Sequence, residues 1–284
     1  MGCEKMNKGI ILILISALFF SLMNTFAKLC SLPEIEKNFF MTIIAFFFAV
    51  AFFIVTKKKI EIKNKKTLFF LLLRSLFGLV GSITYLYAIT NLSLADATLL
   101  NKTSPIFVIL FSMMFLNEKI TGKLISTLLI AMTGIIFVIN PDMNYSLIPA
   151  IIGLLSGIFS GAAYVTIRYI KNDTNPETIA MTFCVVSIIV SIPLMLITKF
   201  ELPMGIDILY LIGMGLCVVI AQYTLSIAFV IAKASKISIY TYGEVLISSI
   251  IGVAIWNEQI GWATIIGGGL IIIAGVVNYN KVES

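Results

Sequence analysis

The sequence predicts an all-α integral membrane protein of ten transmembrane helices, arranged as two inverted five-helix repeats. Three observations lead there: too few charges to clothe a water-facing surface, a steep Lys/Arg asymmetry between alternate connections, and an internal match at a constant offset of 140 residues. Of the 284 residues, 60% are apolar and 12% are charged. Soluble proteins run at about 45–50% and about 25%, so a soluble enzyme and a disordered chain are both excluded. The chain has no histidine, which removes His-based zinc, haem and acid/base chemistry. Cys3, Cys30, Cys184 and Cys217 have no paired spacing and read as small core residues.

A helix needs about 20 mostly apolar residues to cross the hydrocarbon core. Breaks at charged, Pro and Asn clusters give ten such segments: 9–29, 38–56, 67–90, 94–116, 121–140, 147–168, 178–198, 206–231, 237–256 and 260–279. The first follows Lys5 and Lys8 like the opening of a signal peptide. It is too long for one and lacks a small-residue cleavage site, so it reads as a retained span. Orientation follows from Lys and Arg, which accumulate on the cytoplasmic side. With the N-terminus inside, inner segments carry 16 basic residues and outer ones only Lys28, Lys37 and Lys199, with Lys102 inside a span. Both termini are therefore predicted to be cytoplasmic, in a multi-pass protein of the cell membrane.

The internal match divides the chain at 1–142 and 143–284. Asn117, Glu118 and Ile120 recur as Asn257, Glu258 and Ile260, Met41-Thr42 as Met181-Thr182, Ser16 as Ser156, Ala88 as Ala228, and Lys28 as Arg168. Five spans per half is an odd number, so the second half enters the membrane from the opposite side. The charges agree, since the Lys-rich stretch 57–66 aligns with 197–206, which has a single Lys. Inverted repeats of this kind are found in secondary transporters, whose substrate sites lie at the repeat interface.

The segments "NKTSPIFVILFSMMFLNEKITGKLISTLLIAMTGIIFVIN" (101–140) and "TYGEVLISSIIGVAIWNEQIGWATIIGGGLIIIAGVVNY" (241–279) carry a family resemblance. Each has a span closing on a Glu-containing turn that leads into a Gly-rich last span. The chain resembles the EamA-type members of the drug/metabolite transporter superfamily over nearly all its length. In two places it departs: the family's Glu-Pro pair is Glu244-Val245 here, which removes the proline that would kink span nine, and its Gly before the exit Glu is Asn117 and Asn257. The resemblance implies a central cavity walled by spans 1, 3, 4, 6, 8 and 9, with spans 5 and 10 behind. It also implies a metabolite or drug cargo, with export the expected direction.

Charge buried in hydrocarbon is costly and marks function. Most acidic residues fall at span ends or in connections, where water reaches them, but Glu244 lies about 12 Å into span nine at 1.5 Å per residue. A carboxylate there must be protonated, paired or facing a cavity, which makes protons the candidate coupling ion. Lys102, in span four, is its natural partner. The pair is expected to join when the site is empty and to separate around a zwitterionic substrate; the competing reading has Lys102 reaching the outer interface. Arg74 is assigned to inner phosphates, and Lys28 and Arg168 to the interfaces. Asn24, Thr84, Tyr85, Tyr87, Asn101, Ser104, Tyr164, Gln222, Tyr223, Tyr240 and Tyr242 complete the candidate cavity wall. Spans two and seven look apolar throughout their interiors, as lipid-facing or gate helices would. Gly153, Gly157 and Gly161 form a ridge for close packing, and Pro105 and Pro193 are candidate hinges.

No GxxxxGK[ST] loop is present, and no persuasive nucleophile constellation or metal set accompanies it. The +6 charge lies beside anionic lipid and is not a nucleic-acid footprint. The sequence thus points to a secondary transporter of small metabolites, such as amino acids or amphipathic drugs, with no cofactor, working as a monomer or homodimer by alternating access. The alternatives are a non-transporting receptor or structural subunit, or a membrane-embedded enzyme.

Overall fold

A computed structural model describes residues 2–57, 59–118, 121–139, 147–197 and 200–257, with 262, 266–267, 269–270 and 273–274 beyond them. Every regular element among the described residues is helical: α1 (Gly2–Leu29), α2 (Glu34–Thr56), α3 (Lys65–Asn91), α4 (Leu94–Asn101), α5 (Ser104–Leu116), α6 (Gly122–Ile139), α7 (Leu147–Tyr169), α8 (Pro176–Ile197), α9 (Ile206–Ile231), α10 (Ala234–Ile237), a 3₁₀ turn (Ser238–Tyr242) and α11 (Gly243–Trp256). Among these residues, seven helical stretches are long and apolar enough to cross a membrane. The protein is a multi-span membrane protein. The predicted tenth span, 260–279, falls mostly outside the described residues.

Predicted spans four and nine are each interrupted, and the chemistry of the first break is local. Pro105 has no N–H to give to the carbonyl of Asn101, four residues back. Thr103 folds over instead, its Oγ1 donating to the Leu100 carbonyl at 2.8 Å, and α5 starts afresh with Pro105 in its first turn, where no N–H is needed. Span nine breaks without a proline, through the 3₁₀ turn Ser238–Tyr242. The missing Glu-Pro pair therefore does not keep this span straight.

Both broken spans end in the same way. Asn117 (φ 50°, ψ 30°) and Asn257 (φ 52°, ψ 33°) take the left-handed conformation that stops α5 and α11. Asn tolerates this region better than other residues with a Cβ, which suits it to both positions. Asn117→Val is expected to cost about 1–2 kcal/mol and Asn117→Gly to be neutral or stabilising, read from unfolding of the purified protein. Earlier in each half, Leu92 (φ −124°, ψ 174°) and Ala232 (φ −124°, ψ 163°) terminate α3 and α9, donating to the carbonyls of Ala88 and Ala228.

The core forms where α1 lies along α9 and α3 along α7, with α2 against α8 and α9. Ser16 of α1 donates to the Ala221 carbonyl of α9 at 2.9 Å. The interiors of α2 and α8 are more polar than expected. Asn38 is fully buried, donating to Ser187 Oγ at 3.1 Å and accepting from Ser82 Oγ at 2.8 Å. Such pairs satisfy polar groups that would otherwise cost energy in lipid, so the two helices hold each other by hydrogen bonds as well as by packing. Glu36 and Glu177, expected to be hydrated at span ends, are buried too; α2 begins about one turn and α8 about half a turn before its apolar run, which brings both carboxylates into the helices. Glu177 accepts from Tyr223 OH at 3.1 Å. Cys30, Cys184 and Cys217 are buried free thiols, as their spacing suggested.

The span-end cations also differ from expectation. Arg168 does not simply reach an interface: Nε lies 3.7 Å from Glu118 Oε1, and Nη1 donates to the Val230 carbonyl at 2.8 Å. It ties together the ends of α5, α7 and α9. Lys28 sits 4.9 Å over the ring of Trp256, linking the ends of α1 and α11.

Candidate functional site

The two breaks meet at a buried ion pair. Lys102 stands at the end of α4 and Glu244 in the first turn of α11, with Lys102 Nζ 2.6 Å from Glu244 Oε2 and both side chains no more than 3% exposed. The interruption of each span lets a charged side chain leave its helix near mid-length and meet its partner.

Glu244 is satisfied on its other oxygen as well. Oε1 accepts from Asn24 Nδ2 at 3.0 Å and from Tyr85 OH at 3.3 Å, and Asn24 Nδ2 also lies 2.7 Å from the Tyr85 oxygen. The Ser21 hydroxyl donates to the Glu244 carbonyl. Lys102 Nζ also reaches Asn101 Oδ1 at 3.3 Å, while Asn101 Nδ2 donates to Ser156 and Ser160. A carboxylate with three partners and an ammonium with two is how buried charges become tolerable. The reading that sends Lys102 to the outer interface is wrong, because its side chain is buried and paired.

This pair borders a cavity of about 60 Å³, walled by Arg74, Gly78, Gly81, Ser82 and Tyr85 of α3, Asn101 and Lys102, Ser160 and Tyr164 of α7, Gln222 of α9 and Glu244, with Phe20 and Met23 of α1. Tyr164 is braced by stacking on Phe229, ring centroids 5.0 Å apart. Met41 of α2 and Phe183 of α8 also line it, so the wall is wider than the six expected spans. Two further cavities, of about 190 Å³ between α2, α8 and α9 and about 530 Å³ between α3, α5 and α7, are larger. Their walls are mostly apolar. We assign the site to the small polar cavity because it alone of the three gathers charges of both signs.

Of the residues singled out in the sequence, Glu244, Lys102, Asn24, Asn101, Tyr85, Tyr164 and Gln222 come together here. Thr84, Tyr87, Ser104, Tyr223, Tyr240 and Tyr242 do not line this cavity. Thr84 Oγ1 turns back to the Val80 carbonyl, Tyr223 lies against Phe52 and Glu177, and Tyr240 packs on the main core cluster. The Tyr242 ring is buried with Ile109 and Val245. The Ser104 hydroxyl is buried at the start of α5, with no hydrogen-bond partner among the described residues.

Arg74 is the residue that sequence reasoning misplaced. It is 1% exposed, donates from Nη2 to Gln222 Oε1 at 2.8 Å, and its guanidinium lies 4.9 Å over the Phe183 ring. Its distance from the Lys-rich loop suggested headgroup contact, but its helix face decides otherwise. Arg74, Gly78, Gly81, Ser82 and Tyr85 follow helical spacing, and all five face the cavity.

A multi-span helical protein with two broken helices closing on a buried ion pair has the construction of a membrane transporter. The EamA-like transporter family model matches residues 7–140 and again 147–279. The chain belongs to that family, and it is a small-molecule transporter, not an enzyme. It is 30% identical over 279 residues to the pseudopaline exporter CntI of Pseudomonas aeruginosa, covering 96% of each chain. It is 25% identical to the human solute carrier family 35 member G1, over 95% of this chain and 78% of that one. The riboflavin transporter of Rhizobium johnstonii is 23% identical, over 81% of this chain and 76% of its own. A solved crystal structure aligns with a TM-score of 0.80 over 100% of both chains at 17% identity, which shows the shared fold.

Proposed function

We propose that the protein exports small polar or amphipathic metabolites across the cell membrane by alternating access between two inverted five-span halves, 1–142 and 143–284. In this cycle Lys102 and Glu244 form the coupling pair. The observation that carries the reading is the 2.6 Å ion pair, one member from each half, at the point where spans four and nine break.

The inversion is supported by exchange of partners. At an offset of 140 residues α1 becomes α7 and α3 becomes α9, so the packing of α1 on α9 is the counterpart of α7 on α3. The matched terminators Leu92 and Ala232, and Asn117 and Asn257, obey the same offset, and the family model matches once per half. The alternation of connections between two faces is supported by contacts within each face, and the Lys/Arg asymmetry makes the face that carries both termini the cytoplasmic one. Lys63 pairs with Asp173 at 3.4 Å, and Asn175 Nδ2 donates to the Lys59 carbonyl, on the inner side. Ser31 Oγ donates to Asp207 Oδ2 at 2.6 Å on the outer side.

A cavity of about 60 Å³ holds a few waters, whereas ligand pockets run to about 300–1,000 Å³. The site is too small here for a metabolite, and in this cycle the pair keeps it so. Opening requires that Lys102 and Glu244 be given other partners: a proton on Glu244, or charged groups of the substrate. Export is the direction supported by the P. aeruginosa relative.

The test is efflux from proteoliposomes loaded with a mixed pool of amino acids, nucleosides, riboflavin and polyamines, read by mass spectrometry with and without a pH gradient. Lys102→Met and Glu244→Gln are each expected to lower flux at least 10-fold. Wild-type flux in both variants would remove the coupling pair, and flux indifferent to the gradient would remove the proton.

A further inference from the structure

The charged groups on the cavity wall are Arg74, Lys102 and Glu244. Lys102 and Glu244 neutralise each other at 2.6 Å. Arg74 faces a neutral amide: Nη2 donates to Gln222, while Nε and Nη1 have no hydrogen-bond partner among the described residues. A guanidinium carries five N–H donors and keeps its charge in any protein environment. Three of those five here, one on Nε and two on Nη1, therefore stand unused on a side chain that is 1% exposed.

We propose that Arg74 is the substrate-binding cation of this transporter and that its ligand is a carboxylate of a small, net-anionic metabolite. This rests on the transport reading above and names the substrate class of that same site. It reverses one sequence expectation, since the substrate carboxylate goes to Arg74 and not to Lys102.

Three features select a carboxylate. The excess charge of the wall is one positive unit, so an anion completes it and a polyamine adds to it. The guanidinium is held in one plane by Phe183 beneath it and Gln222 at one corner, which orients the remaining donors before the ligand arrives. Its planar donor set matches the two oxygens of a carboxylate better than a point charge would. Gln222 makes no other hydrogen bond among the described residues, and holding Arg74 accounts for an amide so deep in α9.

Unfolding of the purified protein in detergent, at fixed ionic strength, is measured with citrate, glutamate and succinate. Chloride, phosphate, spermidine and glucose serve as comparisons. At least one carboxylate is expected to raise the wild-type midpoint saturably, as a ligand of the folded state must. Arg74→Gln is expected to weaken that binding at least 10-fold. Arg74→Lys keeps the charge without the planar fork, is expected to retain a weaker response, and covers the case in which Arg74→Gln does not fold. Equal carboxylate responses in wild type and both variants overturn the proposal. So does stabilisation of wild type by spermidine, glucose or phosphate and by none of the carboxylates, or no response to any compound. Liposome flux separates the two readings: carboxylate binding without flux leaves this inference and removes the transport cycle, whereas spermidine flux without carboxylate binding does the reverse.

Discussion

Lys102→Met is expected to destabilise the protein by about 3–5 kcal/mol, and Lys102→Met combined with Glu244→Gln to recover most of that loss without recovering flux. The magnitude follows from what each change strands. In the single variant Glu244 keeps Asn24 and Tyr85 as partners but loses the ammonium 2.6 Å away, leaving a buried carboxylate with no cation in direct contact among the described residues; Arg74, on the same cavity wall, is engaged with Gln222. Side-chain hydrogen bonds inside membranes average about 0.6 kcal/mol, so losing ordinary bonds cannot produce a deficit of this size. Glu244→Gln strands Lys102 instead, with Asn101 Oδ1 as its remaining acceptor. In the double variant both charges are gone, and a Gln amide at 244 can still meet Asn24 and Tyr85. A double-mutant cycle on denaturant unfolding in mixed micelles measures the coupling. A double variant that is merely the sum of two small losses would show that the pair is not held as an ion pair. One that regains wild-type flux would show that the pair serves stability alone.

Much of this architecture was legible because lipid imposes simple rules. Hydrocarbon demands about 20 apolar residues per span, and the described helices follow the predicted segments to within a few residues at most ends. Glu244 stood out in the sequence for the same reason, since a carboxylate so far from a span end needs a partner. What the sequence hid was direction around the helix axis. Arg74 lies at a depth similar to that of Glu244, yet proximity to a basic loop assigned it to lipid phosphate. Only the stripe Arg74, Gly78, Gly81, Ser82 and Tyr85 reveals its face. Tyr87 and Thr84 were chosen by type and depth and sit on other faces of the same helix. The break in span nine was hidden for another reason: no proline marks it, and the 3₁₀ turn Ser238–Tyr242 is seen only where it packs against α1 and α5.

Packing at the other break yields the second large effect. Gly157→Ala and Gly161→Ala are each expected to cost about 1–3 kcal/mol, and Gly153→Ala markedly less, although all three belong to one ridge of α7. The ridge presses on the α4–α5 break. A Cβ at 157 would stand 3.0 Å from the carbonyl oxygens of both Asn101 and Leu100, and one at 161 would stand 3.0 Å from the Ser104 carbonyl and 2.8 Å from Phe107 Cβ. At 153 the nearest atoms are Leu100 Cδ1 at 3.0 Å, which can turn aside, and Leu100 Cβ and Ala88 Cβ at 3.2 and 3.3 Å, which need give by only a few tenths of an ångström; no backbone atom is among them. The Asn101 carbonyl is the one Pro105 leaves without its helical donor, so an added methyl pushes on the segment that carries Lys102 to Glu244. Loss of flux should therefore accompany loss of stability at 157 and 161, and lowering the temperature to restore the fold should not restore wild-type flux. Unfolding midpoints and liposome efflux on the three variants decide this. If Gly153→Ala costs as much as Gly157→Ala, the ridge is uniform packing and the broken segment has no special dependence on it.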